Sequence, residues 1–279
     1  MTAATLSEVL KPAMARGYAV AGLVVLGWED ALAFTEAAEE AGTPVILQAG
    51  PGCRKHTPVP ILGKMFRHLA EQASVPVVCH IDHARTLAEC QEGIDSGFTS
   101  VMIDGSHLPL ANNITLTRSV VDIARPAGIS VEGEVGVVGY SGGAASSATS
   151  PDEARRFEEE TEIDALAISV GNVHLQTEKQ AEINLAALRA IQAVTHVPLV
   201  LHGGSGIPSA TRRLLATQYC VKKFNIGTEL RMAFGTALRD FLAAQPGEFD
   251  RNAILKSTIP QVREAAKTIL LELNPRRSG

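Results

Sequence analysis

Residues 198–217 read PLVLHGGSGIPSATRRLLAT, and their chemistry runs strand, glycine turn, helix. Pro198-Leu-Val-Leu201 is a continuous apolar run, as expected of a parallel strand buried on both faces. His202-Gly-Gly-Ser-Gly206 interrupts it, and an amphipathic pattern starts near Pro208. The same alternation fills the chain. Short apolar, β-branched runs lie at 18–26, 44–49, 76–81, 100–103, 130–134, 165–170, 198–201 and 221–226. Helical patterns follow them at 30–41, 62–72, 87–96, 114–125, 151–160, 185–195, 208–217 and 230–244. Eight strands alternating with eight helices predict a (β/α)8 TIM barrel, with a doubly wound open sheet as the competing α/β arrangement. A leading helix at 7–16 and a trailing one at 254–273 are extra to the repeat. No linker or shift of composition interrupts residues 1–279, so a single domain is expected.

Composition narrows the function classes. The chain has 25 Lys and Arg against 30 Asp and Glu, a net charge of −5, which gives no electrostatic footprint for nucleic acid or an anionic membrane. Cys53, Cys79, Cys90 and Cys220 lie far apart without a C-x-x-C pair, against both a disulfide framework and a cysteine-type zinc site. No apolar run reaches membrane-spanning length, and the first residues lack the pattern of a signal peptide, so a cytoplasmic protein is expected.

In such a barrel the chemistry collects at the C-terminal ends of the strands. Those ends carry His80-Ile-Asp-His83, Asp104-Gly-Ser-His107, Glu132-Gly-Glu134, Gly171-Asn-Val-His174, His202-Gly-Gly-Ser-Gly206 and Asn225-Ile-Gly-Thr228. Five of the eight histidines therefore fall on one rim, where a single one would be as well explained as a cap or a polar corner. Imidazoles from three strands with one position left open make a catalytic zinc site, able to polarise a substrate oxygen. Within the third run the residues leave His80 and His83 as competing ligands. The glycine turns after the seventh and eighth strands lead into helices, an arrangement that recurs as a phosphate site in this barrel. No lysine sits at a strand end. Lys222 and Lys223 begin the eighth run, on the face associated with stability, so a metal rather than a lysine Schiff base is the electron sink the strand ends could supply.

The strings HIDH (80–83), VMIDGSHLP (101–109), VEGEVG (131–136), GNVH (171–174), LHGGSG (201–206) and FNIGTE (224–229) resemble the zinc-dependent class II ketose-bisphosphate aldolases. Among these, the tagatose-bisphosphate and fructose-bisphosphate enzymes are nearest. The resemblance covers nearly the whole chain in order. It implies Zn²⁺ held by His83, His174 and His202, with Asp104 and Glu134 lining an alternative metal position. It implies Asp82 as the acid/base and Asn225 as the residue that steadies the enediolate. Gly171, Gly203, Gly204, Ser205, Asn225, Gly227 and Thr228 become substrate-binding positions, with Gly204, Ser205, Gly227 and Thr228 holding the phosphate of dihydroxyacetone phosphate. A monovalent cation beside those turns is left open, and a homodimer or homotetramer is implied.

The chain departs from that pattern on one side of the site. The acidic loop after the fifth strand here reads Gly139-Tyr-Ser-Gly-Gly-Ala-Ala-Ser-Ser-Ala148, without a carboxylate. The Gly and Tyr usual after the sixth-strand histidine are Leu175 and Thr177, the usual Phe-Asn is Leu23-Val24, and an expected Ser or Thr is Gly50. A basic cluster, Arg54-Lys55-His56, follows; it reads either as a solvated loop or as a receiver for an anionic group on the substrate. The small, polar stretch 140–151 reads as a lid or a disordered loop. The expected activity is thus cleavage of a phosphorylated ketose to dihydroxyacetone phosphate and an aldehyde, with altered aldehyde specificity. A metal-dependent lyase or epimerase on another keto sugar or keto acid, and a non-catalytic metal-binding barrel, are the alternatives.

Overall fold

The computed structural model describes residues 2–139, 143 and 146–274. A two-residue strand β1 (Ala3–Ala4) precedes eight longer ones: β2 (Val20–Val24), β3 (Val45–Ala49), β4 (Val77–Ala84), β5 (Ser100–Ile103), β6 (Ser130–Val135), β7 (Ala165–Ile168), β8 (Leu199–Leu201) and β9 (Val221–Ile226). All pairings are parallel, β2 pairs with β9, and the β4–β5 pairing completes the ring β2 to β9. This is a closed (β/α)8 barrel. The helices are α1 (Leu6–Arg16), α2 (Trp28–Ala41), α3 (Pro51–His56), α4 (Val59–Gln72), α5 (Leu87–Asp95), α6 (Leu110–Ala124), α7 (Pro151–Thr161), α8 (Leu185–Gln192), α9 (Ser209–Gln218), α10 (Thr228–Ala244), α11 (Arg251–Lys256) and α12 (Ile259–Leu273). None of the described helices is long and apolar enough to cross a membrane.

Strand periodicity sorts the side chains. In β4, Val77, Cys79 and Ile81 join the large apolar layer beneath the helices, while Val78 faces the barrel axis. The axis is filled in storeys. At the bottom, Leu6, Val9, Leu10 and Ala13 of α1 close over Val20, Ile46, Val78, Met102 and Val200. A capping box at Thr5 and Glu8 fixes the start of that plug. The middle storey is polar and wholly buried: Gln48, His80, Ser100, Glu132 and Lys223. Lys223 therefore does not lie on the stability face as expected. Its ammonium donates to Glu132 at 2.7 Å in the barrel interior, because a buried charge requires a partner.

Two helices differ from the sequence pattern. The trailing helix is split into α11 and α12: within a continuous run Pro260 would leave the Lys256 carbonyl without an N–H partner and set its ring against it. Residues 51–56, expected as loop, form α3, with Pro51 at its first turn. The stretch expected to be a lid or a disordered loop lies partly outside the described residues. Its described base is pinned by a bridge between Val137 and Ser147 and by Gly139, whose carbonyl accepts from the His174 N–H at 2.8 Å.

Candidate active site

β4 runs through the whole HIDH string and ends with a register shift against β5 between Ile81 and Ala84. His83 sits at that shift with φ +50, a left-handed conformation rare for a side-chain-bearing residue. Arg54 of α3 holds the shift in place. Its guanidinium donates to the carbonyls of Ala49, Asp82 and His83 and faces the Glu89 carboxylate at 3.6 Å. Only 10% of the Arg54 side chain is exposed, so it is neither a solvated loop residue nor a free anion receiver. Lys55 and His56 point outward. Removing this three-carbonyl clasp by Arg54→Ala is expected to lower the unfolding free energy by about 2–3 kcal/mol and to weaken the affinity of the neighbouring His83 for any divalent ion about ten-fold. Urea denaturation and a chelator competition measure both; unchanged values would show that the strained turn holds itself.

The imidazoles of His83, His174 and His202 converge from the ends of β4, β7 and β8, with ring centroids 4.6–5.6 Å apart. Their ligand atoms all lie within 4.8 Å of one another. The hydrogen bonds of His83 and His202 each leave one ring nitrogen for a metal. Nδ1 of His83 bonds the Asp104 carboxylate at 2.8 Å, and its Nε2 is buried without a partner. Nε2 of His202 bonds Glu132 at 3.1 Å, and its Nδ1 is likewise orphaned. A carboxylate behind each of these histidines, with the opposite nitrogen unpaired, is the outer-shell pattern of metal-ligating imidazoles. Burial, reinforced by neighbouring imidazoles, drops the His174 pKa to about 3 and holds that of His202 well below its usual value, favouring the neutral form that ligation needs. At His83 burial acts in the same direction, but Asp82, Asp104 and Glu134 outweigh it and lift the pKa to about 9. Burial and the repulsion of Asp104 push Glu134 up to about 8. Excess buried negative charge of this kind is what a cation relieves. His83, Asp104 and Glu134 form a second candidate group. These residues fit a divalent ion.

Beside the cluster, the buried Asp82 accepts a hydrogen bond from the Asn225 amide at 3.1 Å, while the Asn225 carbonyl oxygen has no partner. Both line a pocket of about 300 Å³ together with His83, His174, Gly203, Ser205, Gly227 and Thr228. Gly203 has φ +67, and a Cβ there would stand 2.1 Å from the Val173 carbonyl, so the turn that brings His202 near His174 admits only glycine. The Ser205 hydroxyl accepts from the N–H groups of Gly227 and Glu229, leaving its own proton to donate. Arg212, 1% exposed, ties the Gly204 carbonyl to Glu229 and Glu272 and so joins the two glycine turns. Gly171 and Gly204 do not line the pocket. Gly171 has φ +104 and lies against the Glu182 carbonyl, a backbone role.

Of the two histidines in HIDH, His83 joins the cluster, whereas His80 lies below it, with Nδ1 on the Ser100 hydroxyl at 2.9 Å. His107 is exposed and bonds Arg85 at 2.9 Å. Glu132, read from sequence only as part of the fifth strand end with no role of its own, is the carboxylate behind His202, and Arg54, read as a solvated residue or an anion receiver, clasps the turn at His83 instead. Glu132 stands two residues before Glu134 on the same strand face, and that period-two spacing is the signal that could have given it a role beside the histidines.

A family model described as fructose-bisphosphate aldolase class-II matches residues 4–275. The 6-phospho-5-dehydro-2-deoxy-D-gluconate aldolase of Halalkalibacterium halodurans is 37% identical, over 98% of this chain and 96% of its own. The fructose-bisphosphate aldolase of Geobacillus stearothermophilus is 35% identical, over 95% and 97%. The crystal structure of the YdjI aldolase from Escherichia coli K12 superposes with a TM-score of 0.86 at 32% identity, covering 98% of this chain and 97% of that one. The chain belongs to the class-II fructose-bisphosphate aldolase family and is a carbon–carbon lyase.

Proposed function

We propose that this aldolase is zinc-dependent and reversibly cleaves a phosphorylated ketose to dihydroxyacetone phosphate and an aldehyde. The observation that carries the reading is the cluster of His83, His174 and His202, two of which, His83 and His174, line the pocket together with Asp82 and Asn225. A divalent ion, when bound there, supplies the Lewis acidity that stabilises charge on a ketone oxygen. Asp82 moves the proton at the hydroxymethyl carbon of dihydroxyacetone phosphate, taking it in the addition direction and returning it in cleavage. Asn225 keeps that carboxylate aimed through its amide and, lining the same pocket, is the residue placed to steady the enediolate. The N–H groups around Gly203–Ser205 and Gly227–Thr228, with the Ser205 hydroxyl, receive the phosphate at the start of α10. The working unit in this reading is a cytoplasmic homo-oligomer in which residues 1–279 form one domain.

The loop 139–148 has no carboxylate to exchange the proton of the aldehyde-side hydroxyl. Proton exchange into dihydroxyacetone phosphate should therefore be brisk, while fructose 1,6-bisphosphate and tagatose 1,6-bisphosphate are cleaved poorly. A retro-aldol screen of ketose 1-phosphates and both bisphosphates, with triose phosphate release coupled to a dehydrogenase, tests this. Rapid cleavage of either bisphosphate would contradict the altered specificity. Release from no ketose phosphate would count against the aldolase reading as a whole.

A further inference from the structure

Next to the three imidazoles lies a second set of potential ligands, and a side chain already brings a positive charge to it. His83, Asp104 and Glu134 offer atoms within 4.8 Å of one another. Carboxylate oxygens suit a hard divalent ion, and Glu134 Oε2 is buried there without a hydrogen-bond partner among the described residues. Asp104, 2% exposed, is the opposite case. Its Oδ2 accepts from His83 Nδ1 at 2.8 Å and faces the Arg85 guanidinium at 3.2 Å. Its Oδ1 accepts from the Ser106 N–H at 3.2 Å and from the Ser106 hydroxyl at 2.7 Å. Both oxygens are engaged by donors.

Arg85 is no loose surface cation, although 49% of its side chain is exposed. Beyond the ion pair, its Nη1 donates to the Asp104 carbonyl at 3.3 Å and to His107 Nδ1 at 2.9 Å. These contacts fix the guanidinium on the outer side of Asp104, and its charge persists at any working pH. His83 limits the second set further. With Nε2 bare toward the imidazole cluster, the neutral ring carries its proton on Nδ1 and gives it to Asp104. When ionised, Asp82, Asp104 and Glu134 carry three negative charges, which one divalent ion and one guanidinium balance. A second divalent ion would leave excess positive charge in a buried site, which is costly.

We infer that Arg85 stands in for a second metal ion: its guanidinium closes the Asp104–Glu134 position to divalent cations and keeps Asp104 as the carboxylate behind His83, so that one divalent ion is held per chain. The inference rests on the reading that the imidazole cluster binds zinc. Arg85 does not line the pocket, so it is a positioning residue that acts on His83 through Asp104.

The test counts ions. Zinc-loaded wild type, Arg85→Ala and Arg85→Lys are titrated with Mn²⁺, which favours carboxylate oxygens. Free Mn²⁺ is read from its electron paramagnetic resonance signal, retained zinc by elemental analysis, and folding by circular dichroism. Wild type should keep one zinc per chain and bind Mn²⁺ weakly. Arg85→Ala should keep that zinc and take up one Mn²⁺ per chain about ten-fold more tightly or better, because a neighbouring positive charge has gone. Adding Asp104→Asn to Arg85→Ala should abolish that gain. Arg85→Lys retains the charge and should exclude Mn²⁺ as wild type does. Tight Mn²⁺ uptake by zinc-loaded wild type, an Arg85→Ala chain that binds Mn²⁺ no better, or a gain that survives Asp104→Asn overturns the inference. In each of these cases retained zinc leaves the metal reading standing. A wild-type chain that binds no zinc removes that reading and the inference with it.

Discussion

His174→Ala should lose metal-dependent turnover by about 10³-fold or more while the barrel stays folded. The imidazole is one of three that converge on the candidate ion, and losing the ion removes several kcal/mol of charge stabilisation from the reaction. The fold has little invested in it. His174 lies beyond β7, half-buried, and neither apolar cluster includes it. Zinc content, circular dichroism and turnover of the variant form the check. A His174→Ala protein that binds one zinc tightly and turns over normally would remove this residue from the site.

Asp82→Asn should separate proton transfer from metal binding. The amide keeps the size of the carboxylate and its hydrogen-bonding reach toward Asn225, but it cannot take a proton from carbon. General-base contributions of about 10²–10⁴-fold set the expected fall in kcat, with zinc affinity kept within a few-fold because Asp82 is not among the three converging ligands. A kcat within a few-fold of wild type would assign the proton to another group.

The barrel was legible because its signal is repeated and local. Runs such as Pro198-Leu-Val-Leu201, each followed by a glycine turn and an amphipathic stretch, report the parallel sheet eight times over. The rim residues were legible for the same reason, since strand ends are where sequence position and spatial position coincide. What stayed hidden depends on direction within the barrel. His80 and His83 are three residues apart and differ in role because β4 shifts register between Ile81 and Ala84, placing His83 in a left-handed turn. Lys223 reads as a strand-start residue on the face associated with stability, yet Glu132, 91 positions away, pairs with it in the barrel interior. Arg54 looked like a free cation because its three acceptors are backbone carbonyls, two of them in another strand. Long-range pairings of this kind have no periodicity to betray them.

The central claim is that a metal at His83, His174 and His202 allows Asp82 to exchange a proton of dihydroxyacetone phosphate. The most direct measurement is solvent deuterium uptake by dihydroxyacetone phosphate with zinc-loaded, chelator-stripped and zinc-restored enzyme. The account predicts rapid uptake, its loss on stripping, and its return with one zinc per chain. Uptake that persists undiminished in fully stripped protein would contradict it.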